Sequence, residues 1–433
     1  MNARERIVPM LVLVLLALGA PRGVAAQTHD ALATHTRAPR DSISAMLTAL
    51  VTRVGPAVDN HARTEALLTQ PMLALRSARF ASKLQLAAML NLERWTMPDG
   101  EPVAGIWGEG FIDRRHPHTV LHEVMLTGIV SRGNVQASMA GGRGFAPFGT
   151  DDPMVRPFTK FPANHHLAQV MERVQVIAAV RVARYVALEA ALFNGDEPAS
   201  PTAEPQWTRF ADSHAERLTV WPSSQLEVQG SLAWVRSPEF IRPDGLDQRK
   251  RSVSARWTPP HHALQYALVE WARTGESYKG RSIITYASTL AEASWRSSHW
   301  SFATRGEQTT RPEDERLLDP FRIARPPNHL LIQGVTRWRI VTINVARDLV
   351  ILPRAGAMLF GEVSRAQSSP RLRPVLLDPR NISGSDVAWH LTVGLRLSLG
   401  VMSARAGRYG AAVGGPATDH MLGMTHSTFD HNP

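Results

Sequence analysis

Val387-Ala-Trp-His-Leu-Thr-Val-Gly-Leu-Arg-Leu-Ser-Leu-Gly400 alternates from one end to the other. Val387, Trp389, Leu391, Val393, Leu395, Leu397 and Leu399 are apolar, whereas Ala388, His390, Thr392, Gly394, Arg396 and Ser398 are small or polar. A period of two over this length predicts a β-strand with one oily and one wet face. At about 3.4 Å per residue, a tilted strand of this length crosses a membrane hydrocarbon layer. Repetition of the pattern along the chain would make a transmembrane β-barrel.

The pattern does repeat. In 83–93, Leu84, Leu86, Ala88, Leu90 and Leu92 oppose Lys83, Gln85, Asn91 and Glu93. In 172–183, Val174, Val176, Ala178, Val180 and Val182 oppose Arg173, Gln175 and Arg181. Leu226, Val228, Leu232 and Trp234 oppose Glu227, Gln229 and Ser231, and Val253, Ala255 and Trp257 oppose Ser252, Ser254 and Arg256. Trp300 and Phe302 oppose Ser301, Arg305 and Glu307, and Ile332, Trp338 and Ile340 oppose Gln333, Arg337 and Arg339. The faces of 264–273 and 283–295 stay unassigned.

About fourteen strands are expected: 83–94, 117–131, 134–143, 171–183, 185–195, 211–222, 226–237, 249–257, 262–273, 282–296, 299–310, 329–345, 349–366 and 387–400. Joins alternate between tight, such as Arg132-Gly133 and Ser297-Ser298, and long, such as 95–116, 144–170 and 311–328. Short turns at one end and long loops at the other mark an outer-membrane barrel. The fold class is therefore all-β, a transmembrane antiparallel up-and-down barrel with a short N-terminal helix. Trp95, Trp221, Trp257, Trp271, Trp295 and Trp389 fall near strand ends, as interface girdles do.

The flanks fit export. Residues 1–26 form a signal peptide, with Arg4 and Arg6 ahead of an apolar core at 9–20 and Val24-Ala25-Ala26 before the cut. Residues 27–70 are expected as a disordered and helical periplasmic segment. Within it Ile43, Met46, Leu47, Leu50, Val51 and Val54 follow helical spacing from a capping Asp41 to Gly55-Pro56. The barrel is assigned to 71–400 and a polar periplasmic tail to 401–433. The absence of cysteine leaves stability to the closed hydrogen-bond ladder. A net charge of +10, nearly all arginine, is assigned to lipid headgroups or a pore lumen rather than to nucleic acid. The expected partners are the lipid bilayer with lipopolysaccharide, small solutes and the outer-membrane assembly machinery.

The wet faces supply the expected pore lining: Arg173, Arg181, Arg217, Arg256, Arg305, Arg337, Arg339 and Arg396 with Lys83, opposed by Glu93, Glu189, Glu227, Glu307 and Glu362. An excess of inward arginine favours anions. The alternative is that the charges pair across a closed lumen. Loop 144–170 could fold inward and narrow it.

The loops carry the other candidate chemistry. Asp113-Arg-Arg-His116-Pro-His118-Thr-Val-Leu-His122-Glu123 holds three histidines and two carboxylates, and His165-His166 follows in the next loop. Imidazole with carboxylate suits copper or zinc, so His116, His118, His122, His165 and His166 are candidate ligands. A hydrolase is the third reading, with His118 or His122 as base for Ser131 or Ser138, but no G-x-S-x-G context supports it.

Leu84–Glu93, Ile112-Asp-Arg-Arg-His-Pro-His118, Gly144-Phe-Ala-Pro-Phe-Gly-Thr-Asp-Asp-Pro153, His165-His166 and Leu192-Phe-Asn-Gly-Asp-Glu-Pro198 together resemble an uncharacterised family of Gram-negative exported proteins. The resemblance covers roughly residues 80–400 and implies a porin-like outer-membrane barrel. Some members resemble products encoded beside copper-resistance genes, which implies metal handling as the alternative role. One departure stands out. Bacterial barrels usually end on an aromatic closing strand, whereas here Gly400 is followed by a polar tail with His420, His426 and His431. The leading expectation is a passive channel for small solutes, anion-leaning, with no catalytic residue and no obligate cofactor.

Overall fold

The computed structural model describes residues 42–56, 62–77, 83–96, 119–150, 156–159, 161–163, 165–170, 172–198, 200–238, 242–260, 263–312, 335–352, 355–372, 380, 384–400 and 407–413. Sixteen antiparallel strands close into one barrel. In chain order they are β1 (Ser42–Gly55), β2 (Arg63–Ser77), β3 (Leu84–Asn91), β4 (Leu121–Arg132), β5 (Val135–Gly144), β6 (Arg173–Val182), β7 (Val186–Phe193) and β8 (Ser213–Val220). The circuit continues with β9 (Leu226–Val235), β10 (Asp247–Trp257), β11 (Leu264–Tyr278), β12 (Arg281–Ser297), β13 (Trp300–Pro312), β14 (Val335–Leu352), β15 (Ala355–Leu372) and β16 (Val387–Leu399). Each strand pairs with its sequence neighbours, and β1 pairs with β16 from Ala45↔Leu399 to Gly55↔Trp389. That seam leaves no open edge, which a lipid environment demands.

The outside is aliphatic. Val130, Met139 and Val393 are 66%, 63% and 62% exposed, and Leu126, Leu188, Leu232, Val269, Val341 and Leu391 join them. So large an exposed apolar surface marks contact with a membrane. The girdle forms from Trp257, Trp271, Trp295, Trp300 and Trp389, all exposed. Trp221, expected among them, is instead buried and donates its indole N–H to Glu227 Oε2 at 2.8 Å. Turns stay short at the end that holds Gly133-Asn134 and Ser298-His299. Both barrel termini lie at this short-turn end. Among the joins expected to be long, 274–281 shrinks to Lys279-Gly280, because β11 and β12 run on to Tyr278 and Arg281.

All fourteen expected strands are present, and two more precede them. The predicted N-terminal helix is β1. Its odd positions Ile43 and Val51 face out, while Ser44, Thr48, Leu50, Thr52 and Val54 are buried inward. Because Leu50 and Val54 carry apolar bulk into the lumen, both faces of β1 are partly oily, and the spacing imitates a helix. The reason is tertiary: Leu50 packs with Leu67, Met72, Met89, Phe161 and Phe360. The second missed strand, β2, is broken by Gln70 and Pro71, where the register against β1 shifts between Met46 and Thr48. Proline in a sheet is confined to such bulges or edges. Residues 42–55 and 63–70, assigned to a periplasmic segment, therefore belong to the barrel.

Candidate functional site: the filled lumen

A sixteen-strand barrel encloses more space than its own side chains fill. Two segments enter that space. The first is the loop from Phe145 to Glu172. Phe145, Ala146, Phe148, Phe158, Phe161, Ala163, Leu167, Ala168 and Val170 are all buried, so its described residues lie inside the barrel. It contains the four-residue α2 (His165–Ala168); α1 (Glu93–Thr96) precedes it, after β3.

The wall holds this loop by carboxylates. Glu270 Oε2 on β11 accepts from Thr150 Oγ1 at 2.6 Å, and Arg156 Nη2 lies 3.5 Å from the same oxygen. Arg156 also reaches Glu292 Oε2 on β12 at 3.6 Å. Glu362 Oε2 on β15 accepts from the Thr159 backbone N–H at 2.9 Å, and Glu307 Oε2 on β13 accepts from that of Ala163 at 2.7 Å. These are charge-assisted bonds, stronger than neutral ones. Gly149 N–H donates to Ser231 Oγ at 3.0 Å, and the Gly149 carbonyl accepts from Gln229 Nε2. At Gly149 φ is +77°, and a Cβ would collide with the Ala168 carbonyl, so only glycine suits the bend.

The second segment is Gly407–Val413. It sits beyond β16 and returns into the lumen. Arg408 is 2% exposed; its Nη2 donates to Glu227 Oε1 at 3.0 Å and to Gln229 Oε1 at 2.6 Å. Ala411 N–H donates to Ser138 Oγ at 2.8 Å, and the Val413 carbonyl accepts from Arg181 Nη1 at 3.0 Å. Tyr409 Oη accepts from Phe145 N–H at 3.2 Å, tying tail to loop. The tail expected to be periplasmic is, at these residues, lumenal.

Most expected lining arginines do face inward, and Arg173, Arg217 and Arg305 are paired with carboxylates. Arg217 binds Glu189 at 2.5 and 2.7 Å. Arg305 Nε lies 2.9 Å from Glu307 Oε1, and its guanidinium covers the Phe158 ring at 4.5 Å. Arg173 pairs with Glu197 at 3.1 Å. Arg256 stacks on Tyr266 at 4.4 Å, whose hydroxyl donates to Glu292 Oε1 at 2.8 Å. Glu93 faces in at the end of β3, yet serves the bulge, accepting from Gln70 N–H at 2.8 Å and Asn91 Nδ2 at 3.1 Å. Lys83 is exposed.

Arg337 and Arg339 are a correction. Trp338 and Ile340 point into the lumen, packing with Ala163 of the loop, Ala366 and Ala388. The two arginines therefore stand on the outer face, Arg339 donating from Nε to exposed Gln308 Oε1 at 3.3 Å. The rule that apolar faces turn outward fails here because the lumen is itself packed. Glu270, Glu292, Tyr266, Arg156 and Arg408 were not singled out from the sequence. The mixed faces of β11 and β12 hid the first three: Tyr266, Leu268 and Leu290 form an apolar cluster on the inner wall.

Of the candidate metal ligands, His122 alone has a described side chain. His116 and His118 lie outside the described residues, as do the side chains of His165 and His166. His122 is buried; its Nδ1 lies 2.6 Å from Glu172 Oε1, and its ring meets Phe145 edge-on at 5.3 Å. Among the described residues no group of three potential ligands is assembled. Ser138 stands opposite Ile129, seven residues along β4 from His122, or roughly 24 Å. Ser131 is farther still along β4, and its Oγ accepts from Gln136 Nε2 at 3.3 Å. Among the described residues neither serine pairs with His122.

No family model and no curated protein matches the chain. Among solved structures it is similar to an anion-selective porin from Comamonas acidovorans, with a TM-score of 0.52 and 9% identity over 83% of this chain and 99% of that one. A loop-deletion mutant of OmpT, an outer membrane protein of Vibrio cholerae, gives a TM-score of 0.48 at 9% identity, covering 83% and 98%. The outer membrane channel DcaP of Acinetobacter baumannii gives 0.46 at 8% identity, covering 83% and 96%. At such identity the first likeness concerns the fold alone, and the other two add nothing to it. Strand pattern, closed ladder and aliphatic exterior agree with it: the chain has the fold of an outer-membrane porin.

Proposed function

We propose that this barrel is an outer-membrane channel through which small solutes, preferentially anions, diffuse passively. The carrying observation is a set of inward arginines that form no ion pair with a carboxylate among the described residues, Glu362 acting on Arg396 only at a distance. Arg76 on β2, Arg181 on β6 and Arg396 on β16 all face the lumen near the short-turn end and are half-buried. Arg181 bonds Gln136 Oε1 at 3.0 Å besides the tail carbonyl, and Arg396 Nε donates to Thr48 Oγ1 at 3.4 Å. Fixed positive charge at a pore mouth lowers the barrier for anions and raises it for cations. The deeper arginines contribute little to selectivity, since Glu189, Glu197 and Glu307 cancel them.

Width is set by the inserted segments. The loop reaches β8 to β15 and β1, the tail reaches β4 to β9, and the two meet where Tyr409 Oη accepts from Phe145 N–H. The test is single-channel recording of the refolded chain in a planar bilayer under a salt gradient. Steady conductance with an anion-side reversal potential supports the reading. A cation-side potential would overturn the selectivity, and absence of conductance from both the full chain and one lacking 401–433 would overturn the channel.

A further inference from the structure

Arg337 and Arg339 are not alone on the outer face. Arg249 and Arg251 on β10, Arg273 on β11 and Arg365 on β15 also face outward, all but Arg337 exposed. They gather toward the long-loop end of two adjoining pairs, β10–β11 and β14–β15, with β12 and β13 between them. The ladder places the two pairs on common rungs: Val253 pairs with Trp271, Trp271 with Thr289, Thr289 with Gln308, and Gln308 with Arg339. Arg251 and Arg273 stand two residues loopward of Val253 and Trp271, and Arg337 two residues loopward of Arg339. Arg251 and Arg273 are direct cross-strand partners, a like-charge placement that destabilises a sheet unless an anion sits between them. Among the described outward residues of β10 to β15 the one carboxylate is Asp247, and it accepts from Ser237 N–H at 3.3 Å. Among the described residues the band has no carboxylate bonded to it.

Toward the short-turn end the same strands carry Val253, Val269, Val341 and Ile343, all exposed. Arginine on a lipid face is tolerated at the interface and costly at mid-depth, so the band marks the headgroup level. A partner that fits both surfaces joins an anionic head to apolar tails. We propose that this arginine band binds the phosphate groups of anionic lipids in the leaflet at the long-loop end. Guanidinium forks match phosphate oxygens bidentately, and Trp271 and Trp389 flank the site as interface anchors, Arg365 lying 6.0 Å over Trp389. An acidic protein would use the arginines but leave the aliphatic belt below them uncovered.

The experiment is a lipid titration of the refolded full chain in neutral detergent, read by thermal stabilisation, with diphosphorylated lipid A against the dephosphorylated lipid. Tighter, salt-sensitive stabilisation by the phosphorylated form is expected. The triple variant R273Q/R337Q/R339Q should weaken it roughly a hundredfold, whereas R347Q, at the short-turn end over Trp300, should leave it unchanged. Equal response to both lipids, or an unaltered triple variant, overturns the proposal. If the triple variant does not fold, the two-lipid comparison on the native chain decides alone. Competition by an acidic peptide as effective as by the phosphorylated lipid would also overturn it, assigning the band to a protein.

Discussion

Arg408 Nη2 lies 3.0 Å from Glu227 Oε1, bonding a residue from beyond the last strand into the inner wall of β9. Both side chains are 2% exposed. Removing one partner strands the other as a buried charge, at a cost of about 3–5 kcal/mol. R408A should therefore release the tail from the lumen. Unit conductance in a planar bilayer should rise, and deletion of 401–433 should reproduce the rise. Unchanged conductance in both would show that the tail does not obstruct the path.

Glu270 holds the loop through Thr150 and Arg156. Charge-assisted bonds of this kind contribute about 1.5–3 kcal/mol each. E270A should loosen the loop, giving noisier and larger current steps and faster protease nicking between β5 and β6. The barrel ladder is untouched, so detergent resistance of the barrel should persist. Protection equal to that of the native chain would count against the tether.

Arg217 and Glu189 form the tightest inward pair, with two bonds on facing strands. E189Q leaves Arg217 with the Gly407 and Gly149 carbonyls at 3.0 and 3.4 Å. Loss of the buried pair should lower the melting temperature, by about 3–5 kcal/mol in stability, and shift reversal potential further to the anion side. A thermal melt and a salt-gradient recording check both. A cation-side shift would contradict the neutralising role of Glu189.

The mouth arginines make the opposite prediction. R76Q/R181Q/R396Q removes three positive charges that face the lumen without an ion pair among the described residues. Anion preference should fall toward neutrality, with conductance at high salt little altered, because pore width is unchanged. A reversal potential identical to that of the native chain would remove these residues from the selectivity mechanism.

Much of the architecture was legible in short stretches. Outward positions of β6, β9, β10, β13 and β16 alternate because lipid demands apolar side chains on one face and tolerates polar ones on the other. Legibility failed where the inner face is apolar too. Leu50 and Val54 on β1, and Trp338 and Ile340 on β14, face a packed interior of Phe161, Phe360 and Ala163 rather than water. There the period-two contrast vanishes: β1 read as a helix, and β14 read with its faces reversed.

The site was half visible. Arg173, Arg217, Arg256 and Arg305 were placed on the lumen side by alternation alone. That Glu189 and Glu197 would cancel Arg217 and Arg173 depends on which strands become neighbours and on where a loop lands, which no local pattern encodes, whereas Arg305 and Glu307 stand two apart on one face of β13.

By itself the sequence determined the membrane-facing surface, the antiparallel order and the sorting of turns from loops, because these follow from residue-by-residue contact with lipid or water. The tertiary structure alone decided the strand count, the closing seam of β1 with β16, the insertion of 145–172 and 407–413, and the outward turn of Arg337 and Arg339. Each depends on what fills the inside of the barrel, and that is set by residues distant along the chain meeting across a closed space.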